Sequence, residues 1–208
     1  MREHLERLGW AMCGQGDWAY VYRSPHGRLA ARVSPFEPGY TYFVDLCVRC
    51  AGNRHVPRIE LATRLNGGGH LAVLEYLTVG NTGVVEEFLR HWKHPEEADA
   101  DLRALRHEVD TMDEWGRENV RWWGPRVDMS DRHVLFSADG DAKVIDLFFV
   151  EGDDLLTELI EDPRSFVRHM PLDQLRYVLD MPDLQTGDQP ADYVRRIRDA
   201  LNEAATGT

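Results

Sequence analysis

Asp128-Met-Ser-Asp-Arg-His133-Val-Leu-Phe-Ser-Ala-Asp-Gly140-Asp-Ala-Lys143-Val-Ile-Asp146-Leu-Phe148 decides the fold of this chain. Val134-Leu135-Phe136 and Lys143-Val144-Ile145 are two short apolar runs. The Ala138-Asp139-Gly140-Asp141 between them carries the Asp-Gly pair that favours a tight hairpin. The hairpin sets Asp128 before its first strand and Asp146 after its second, so each strand lies next to a carboxylate. Phosphoryl transfer needs such a pair, one carboxylate to orient an acceptor hydroxyl and one to hold a metal ion on the phosphates.

Working outward, Gly14-Gln-Gly16-Asp-Trp-Ala19-Tyr-Val21 fits a loop of the form G-x-G-x-x-G-x-V, with Ala19 in the third glycine place. Leu29-Ala30-Ala31-Arg32-Val33 follows as a strand. His70-Leu-Ala-Val-Leu-Glu75-Tyr76-Leu77 is a second apolar strand running into a connector. These segments, in this order, resemble the protein kinase superfamily. The resemblance places Asp128 at the catalytic aspartate, His133 at the metal-binding asparagine, and Asp146-Leu147-Phe148 at the Asp-Phe-Gly. Arg32 falls at the phosphate-pairing lysine of V-A-I-K, and Glu75 to Leu77 at the hinge whose backbone meets an adenine edge. The likeness spans about residues 14 to 148. Arg32, His133 and Arg126 each differ from the family residue, the last standing where the motif has histidine.

The resemblance implies an α+β, two-lobed kinase-like fold. Residues 1–77 would form a small antiparallel N-lobe with the Gly-rich loop and one helix. Residues 78–208 would form a mostly helical, shortened C-lobe with the carboxylate hairpin at 128–148. It implies ATP and magnesium as ligands, with Asp146 and His133 at the metal, Asp128 as the catalytic residue, and Gly14, Gly16, Ala19, Val21, Arg32, Glu75 and Leu77 around the nucleotide. No Ala-Pro-Glu tripeptide follows Asp146, so the chain looks more like the compact kinase-like relatives, in the broad sense that includes aminoglycoside phosphotransferases, whose larger substrate-binding additions it lacks. Two functions of different class follow. One is an ATP-dependent phosphotransferase acting on a protein or small-molecule acceptor; the other is a pseudokinase, a kinase-shaped partner-binding or regulatory module.

Composition narrows the remaining classes. At 208 residues and 43% hydrophobic, the chain suffices for one domain or two small lobes around a cleft. A formal charge of -12 opposes general nucleic-acid binding, which wants a basic face. No apolar run reaches membrane-span length and the opening Met-Arg-Glu-His-Leu-Glu has no signal-peptide core, so the expected setting is cytoplasmic, without membrane.

Cys47-Val-Arg-Cys50 has C-x-x-C spacing with His55 nearby, yet a tetrahedral zinc site wants four ligands. Phe43, Leu46, Cys47 and Cys50 recur at helical spacing and predict the buried stripe of a helix over about 40–51. The kinase pattern wants an acid from this helix to meet the strand cation, and for Asp45, its one acidic residue, two arrangements stand side by side: a pair with Arg32, or a solvated Asp45 with Arg32 paired elsewhere. Further on, Leu102, Leu105, Val109, Met112 and Trp115 predict the core stripe of a long helix. After Asp146, three helices are predicted around Leu155 to Ile160, Leu172 to Leu179, and Val194 to Leu201, separated by Asp-Pro and Met-Pro breaks.

Overall fold

The computed structural model describes residues 1–187 and 189–206. Its elements run α1 (Arg2–Arg7), β1 (Ala11–Gln15), β2 (Tyr20–Arg23), β3 (Leu29–Ser34), α2 (Tyr40–Arg49), β4 (Ile59–Arg64) and β5 (His70–Glu75). There follow α3 (Thr82–Lys93), α4 (Ala100–Asn119), β6 (Val134–Phe136), β7 (Ala142–Val144), α5 (Gly152–Glu161), α6 (Pro163–His169), α7 (Pro182–Gln185) and α8 (Ala191–Thr206). The strands up to Glu75 form one five-stranded antiparallel sheet in the order β1-β2-β3-β5-β4, and β6-β7 form a separate hairpin.

Strand alternation explains how the sheet is covered on both faces. Tyr20, Tyr22, Ala31, Val33 and Leu71 point to one face and bury with Leu5 of α1. Ala30, Ala72 and Leu74, one position out of phase, point to the other and join Phe43, Leu46 and Cys47 of α2. That core continues into Val85, Phe88 and Trp92 of α3 and Leu102, Leu105, Val109 and Met112 of α4, so sheet and helices are one packed body around α2. A helical lobe follows the sheet, as the α+β, kinase-like order requires.

The α4 stripe turns at its C-terminal end. Asp99 caps the helix by accepting from Leu102 N at 2.8 Å, and Leu102 to Met112 are buried. Trp115, expected in that stripe, is instead 50% exposed and lies beside Tyr42 at 5.9 Å between ring centroids. Its buried place is taken by Asp113 and Gly116. Asp113 accepts from Trp123 Nε1 at 2.8 Å, and a Cβ on Gly116 would stand 2.3 Å from the Trp123 ring. The Trp123 indole therefore fills the volume that a 3.6-residue repeat assigns to Trp115.

The tail keeps two of the three expected helices. α5 and α8 form, but Leu172 to Leu179 is no single helix: it is two 3₁₀ segments, Leu172–Leu175 and Val178–Asp180. Pro171 and Pro182 bracket it, and the two short turns meet at Arg176 and Tyr177. Spacing also did not anticipate the four-residue α7 or α6, the latter started by Asp162, whose carboxylate accepts from Ser165 N at 3.1 Å, and by Pro163 at its first position. Phe166 of α6 is fully buried with Leu155, Leu159, Leu175 and Ile197. This second core includes Phe36, from the loop after β3.

Candidate functional site

Two adjoining cavities line the space between the sheet and the β6–β7 hairpin. The polar one, about 580 Å³, is lined by Gly14, Gly16, Ala19, Val21, Arg32, Asp128, His133 and Asp146 among others. The more apolar one, about 350 Å³, is lined by Ala30, Phe43, Leu74, Glu75, Leu77 and Leu135, and shares Gly14, Val21, Arg32 and Asp146 with the first. Every residue that the sequence singles out for nucleotide, metal or catalysis thus lines one or both cavities.

The loop between β1 and β2 is a hairpin closed by Gly16 N donating to Ala19 O at 2.9 Å, with a register shift between Met12 and Gly14. Nothing lies within 4 Å of a Cβ built on Gly16, so the tip is open to a ligand. Its outer side is held from two directions. Trp18 packs on Phe36 at 6.0 Å between ring centroids, and Asp17 O accepts from Asp183 N of α7 at 3.1 Å. The C-terminal segment therefore anchors this loop.

Arg32 is the most heavily engaged side chain in the cleft. Its guanidinium forks onto Glu37, through a Nη1 contact to Oε2 and Nη2 to Oε1 at 2.9 Å, and Nη2 also reaches Asp146 at 3.2 Å. It lies over the Tyr40 ring, 3.8 Å from the centroid. Burial alone would lower its pKa, but Asp146 and Glu37 more than offset this and raise it, so the charge is permanent. Burial pushes the Glu37 carboxyl upward, and Arg32 pulls the other way.

Of the two arrangements open to Asp45, the structure takes the one in which Arg32 pairs elsewhere. Asp45 is exposed and bonds Arg49 Nε one helical turn away at 2.8 Å. Its position on α2 faces away from the sheet, whose side of the helix belongs to Phe43, Leu46 and Cys47. Glu37, in the loop before α2, supplies the carboxylate instead. The available signal was its spacing: Ser34-Pro35-Phe36-Glu37 turns the chain just after the strand, and Phe36 is drawn into the second core. Arg132, which lines the polar cavity beside Asp128, was likewise not singled out from sequence.

The two carboxylates are held by the backbone around them. Asp128 N donates to Leu147 O at 2.9 Å, and Ile145 N donates to His133 O at 2.9 Å, which ties the 128–133 turn to the 145–147 segment. Asp146 sits between at φ 52, a left-handed conformation that costs a non-glycine residue about 1–2 kcal/mol. The hairpin is tied to the connector by Thr78 N to Phe136 O (2.9 Å) and Phe136 N to Thr78 O (2.8 Å). Lys143, buried, bonds Val56 O at 3.0 Å and Glu75 at 3.3 Å. Glu75 thus presents its carboxylate to Lys143. In the connector, Tyr76 N and Thr78 N are bonded to Arg28 O and Phe136 O, while Leu77 between them makes no backbone hydrogen bond among the described residues.

The donor set fits a metal held jointly with phosphate. Asp146 is 35% exposed and Asp128 46%, so both carboxylates can reach a ligand. Among the described residues no group of three or more His, Cys, Asp or Glu side chains is placed to hold a metal ion. With Asp146 and His133 on the cavity wall, a metal here would draw its remaining ligands from phosphate and water. Elsewhere, Cys47 is buried, its thiol pushed upward by burial, and His55 is engaged by Ala142 O at 2.8 Å and Asp99 at 3.2 Å. No helix among the described residues is long and apolar enough to cross a membrane.

No family model matches the chain, and neither does any curated protein. Among solved structures it is similar to a chain of the CAK complex of Chaetomium thermophilum bound to ATP-gamma-S, at 19% identity over 70% of this chain and 48% of that one, TM-score 0.39. The chain spans about half the length of that protein. A thermostable aminoglycoside phosphotransferase APH(4)-Ia, in ternary complex with AMP-PNP and hygromycin B, is 13% identical over 100% of this chain and 99% of that one, TM-score 0.37. An aminoglycoside phosphotransferase from Alicyclobacillus acidocaldarius gives 12% identity over 94% and 90%, TM-score 0.32. At these identities and scores the neighbours carry no residue-level information, and the kinase-like fold rests on the chain's own strand order and cleft.

Proposed function

From a kinase-like α+β fold with an apolar cavity at its connector and a carboxylate-lined cavity beside it, we propose that the chain binds a nucleotide, ATP, and acts as an ATP-dependent phosphotransferase. The observation that carries this is convergence: Gly14 and Gly16 from one hairpin, Arg32 from β3, and Asp128 and Asp146 from either side of the β6–β7 hairpin meet in one cleft. The base would lie in the apolar cavity against Leu74 and Leu77, with the unbonded Leu77 backbone groups facing its edge. Asp128 accepts the hydrogen bond of an acceptor hydroxyl and orients it. Arg32, steadied by Glu37, presents positive charge to phosphate oxygens, and the Gly14–Gly16 backbone allows their close approach. A divalent metal held by Asp146 would neutralise charge on those oxygens.

A second reading, a pseudokinase that binds nucleotide or partner without transfer, is favoured by one specific feature. Arg32 is already bound to both Glu37 and Asp146, so the residue at the phosphate-pairing position and the one at the metal position neutralise one another. Thermal unfolding with ATP tests nucleotide binding in either case, because a ligand specific to the folded state adds about 2.7 kcal/mol at a hundredfold excess over its Kd. ATP consumption with protein and small-molecule acceptors then separates the readings. Turnover that Asp128→Asn removes identifies the enzyme; ATP binding without turnover against any acceptor identifies the pseudokinase.

A further inference from the structure

His133 stands where a purely oxygen-ligated magnesium site would want an amide, and its surroundings define its chemistry. Nδ1 lies 2.7 Å from Asp128 O. A carbonyl only accepts, so Nδ1 carries the proton and Nε2 carries the lone pair. Asp128 Oδ2 is 3.6 Å from Nδ1, beyond a hydrogen bond, and the carbonyl sets the tautomer. The residue is fixed at both backbone ends, by its N–H to Ser130 O at 3.1 Å and its carbonyl to Ile145 N at 2.9 Å, one residue before Asp146. Its side chain is 18% exposed and lines the polar cavity with Asp146, and Nε2 makes no hydrogen bond among the described residues. An imidazole whose outer N–H is held by a backbone carbonyl is prepared as a metal ligand through its other nitrogen.

We propose that the nucleotide-associated metal site selects manganese(II) over magnesium, with His133 Nε2 and Asp146 as its protein ligands; this rests on the nucleotide-binding reading above. Magnesium demands a strict octahedron of hard oxygens and dehydrates reluctantly; manganese(II) takes the same carboxylate and phosphate oxygens, and as a transition ion it also forms a bond to an imidazole nitrogen. The selection resides in one side chain. Asparagine at position 133 would offer an oxygen to the metal, while its amide N–H₂ could replace the proton that Nδ1 gives to Asp128 O.

The test is metal titration of thermal unfolding with saturating ATP, for wild type and His133→Asn, together with pulsed EPR on the manganese complex. Wild type should show manganese binding at least about tenfold tighter than magnesium, the loss typical when a histidine ligand or its support is removed. His133→Asn should close that gap, and nitrogen hyperfine coupling to manganese should be present in wild type and absent in the variant. ATP stabilisation that is equal with both metals, without nitrogen coupling, overturns the metal inference and leaves nucleotide binding standing. No ATP stabilisation with either metal overturns both. Should His133→Asn not fold, the presence or absence of nitrogen coupling in wild type decides alone.

Discussion

Removing the Glu37 carboxylate should be the most damaging single change in the cleft. Arg32 and Glu37 are both nearly buried, at 11% and 10% side-chain exposure, and are joined by two hydrogen bonds. Glu37→Ala leaves the guanidinium with Asp146 as its one carboxylate and with the Ser34 hydroxyl, which accepts from Nη1 at 2.7 Å, and leaves that buried hydroxyl without the carboxylate it donates to. Breaking a buried pair from one side costs about 3–5 kcal/mol; Asp146 compensates in part, so about 3 kcal/mol is expected. At about 2–4 °C per kcal/mol for a chain of this size, the unfolding midpoint should fall by roughly 6–12 °C. Asp45→Ala is the control, because it removes an exposed pair one helical turn from Arg49 and should stay within about 0.5 kcal/mol. Arg32→Met combined with Glu37→Met should recover most of the loss, since no buried charge is then left unpaired and Asp146, which loses its cation, is 35% exposed to water. Urea and thermal denaturation of the four proteins measure all of this. If Glu37→Ala falls within about 0.5 kcal/mol of wild type, or if Asp45→Ala proves the costlier change, the pairing described here is wrong.

Gly116→Leu should destabilise by about 1–3 kcal/mol or more, because its Cβ would stand 2.3 Å from the Trp123 ring; calorimetry with near-ultraviolet dichroism of the tryptophans checks it. Asp128→Asn should leave ATP affinity nearly unchanged and abolish most of any turnover, whereas Asp146→Asn should remove the metal-dependent part of ATP affinity, both read by isothermal titration. His70 has its pKa lowered to about 4 by burial first and then by Arg64 and Arg32. The unfolded value is about 6.5, so the unfolded chain binds the extra proton between these limits; the stability that neutral His70 contributes is complete above about pH 6.5 and lost as pH falls towards 4. His70→Gln should flatten the urea midpoint against pH across that window, and an unchanged slope would refute the assignment.

Local signals determined much of this protein. Asp-Gly between two apolar runs specifies the β6–β7 hairpin, the apolar runs at 29–33 and 70–77 specify β3 and β5 at the middle of the sheet but not its edge strand β4, and the three-and-four spacing in α2 and α4 specifies which faces turn inward. These features depend on neighbours a few residues apart, which a sequence displays directly. The order of loop, strand, connector and paired aspartates also carried the kinase-like fold and the residues of the cleft.

Tertiary structure decided the pairings. Which carboxylate meets Arg32 depends on how α2 rotates to bury Phe43, Leu46 and Cys47, and that rotation sends Asp45 to solvent while Phe36 carries Glu37 inward. Trp115 yielded its buried place because Trp123, from a turn 8 residues further along the chain, returns to fill it against Gly116. The anchoring of the Gly16 loop by Asp183 joins residues far apart in sequence. In each case the deciding quantity is the volume or charge offered by a distant segment, which no periodicity along the chain encodes.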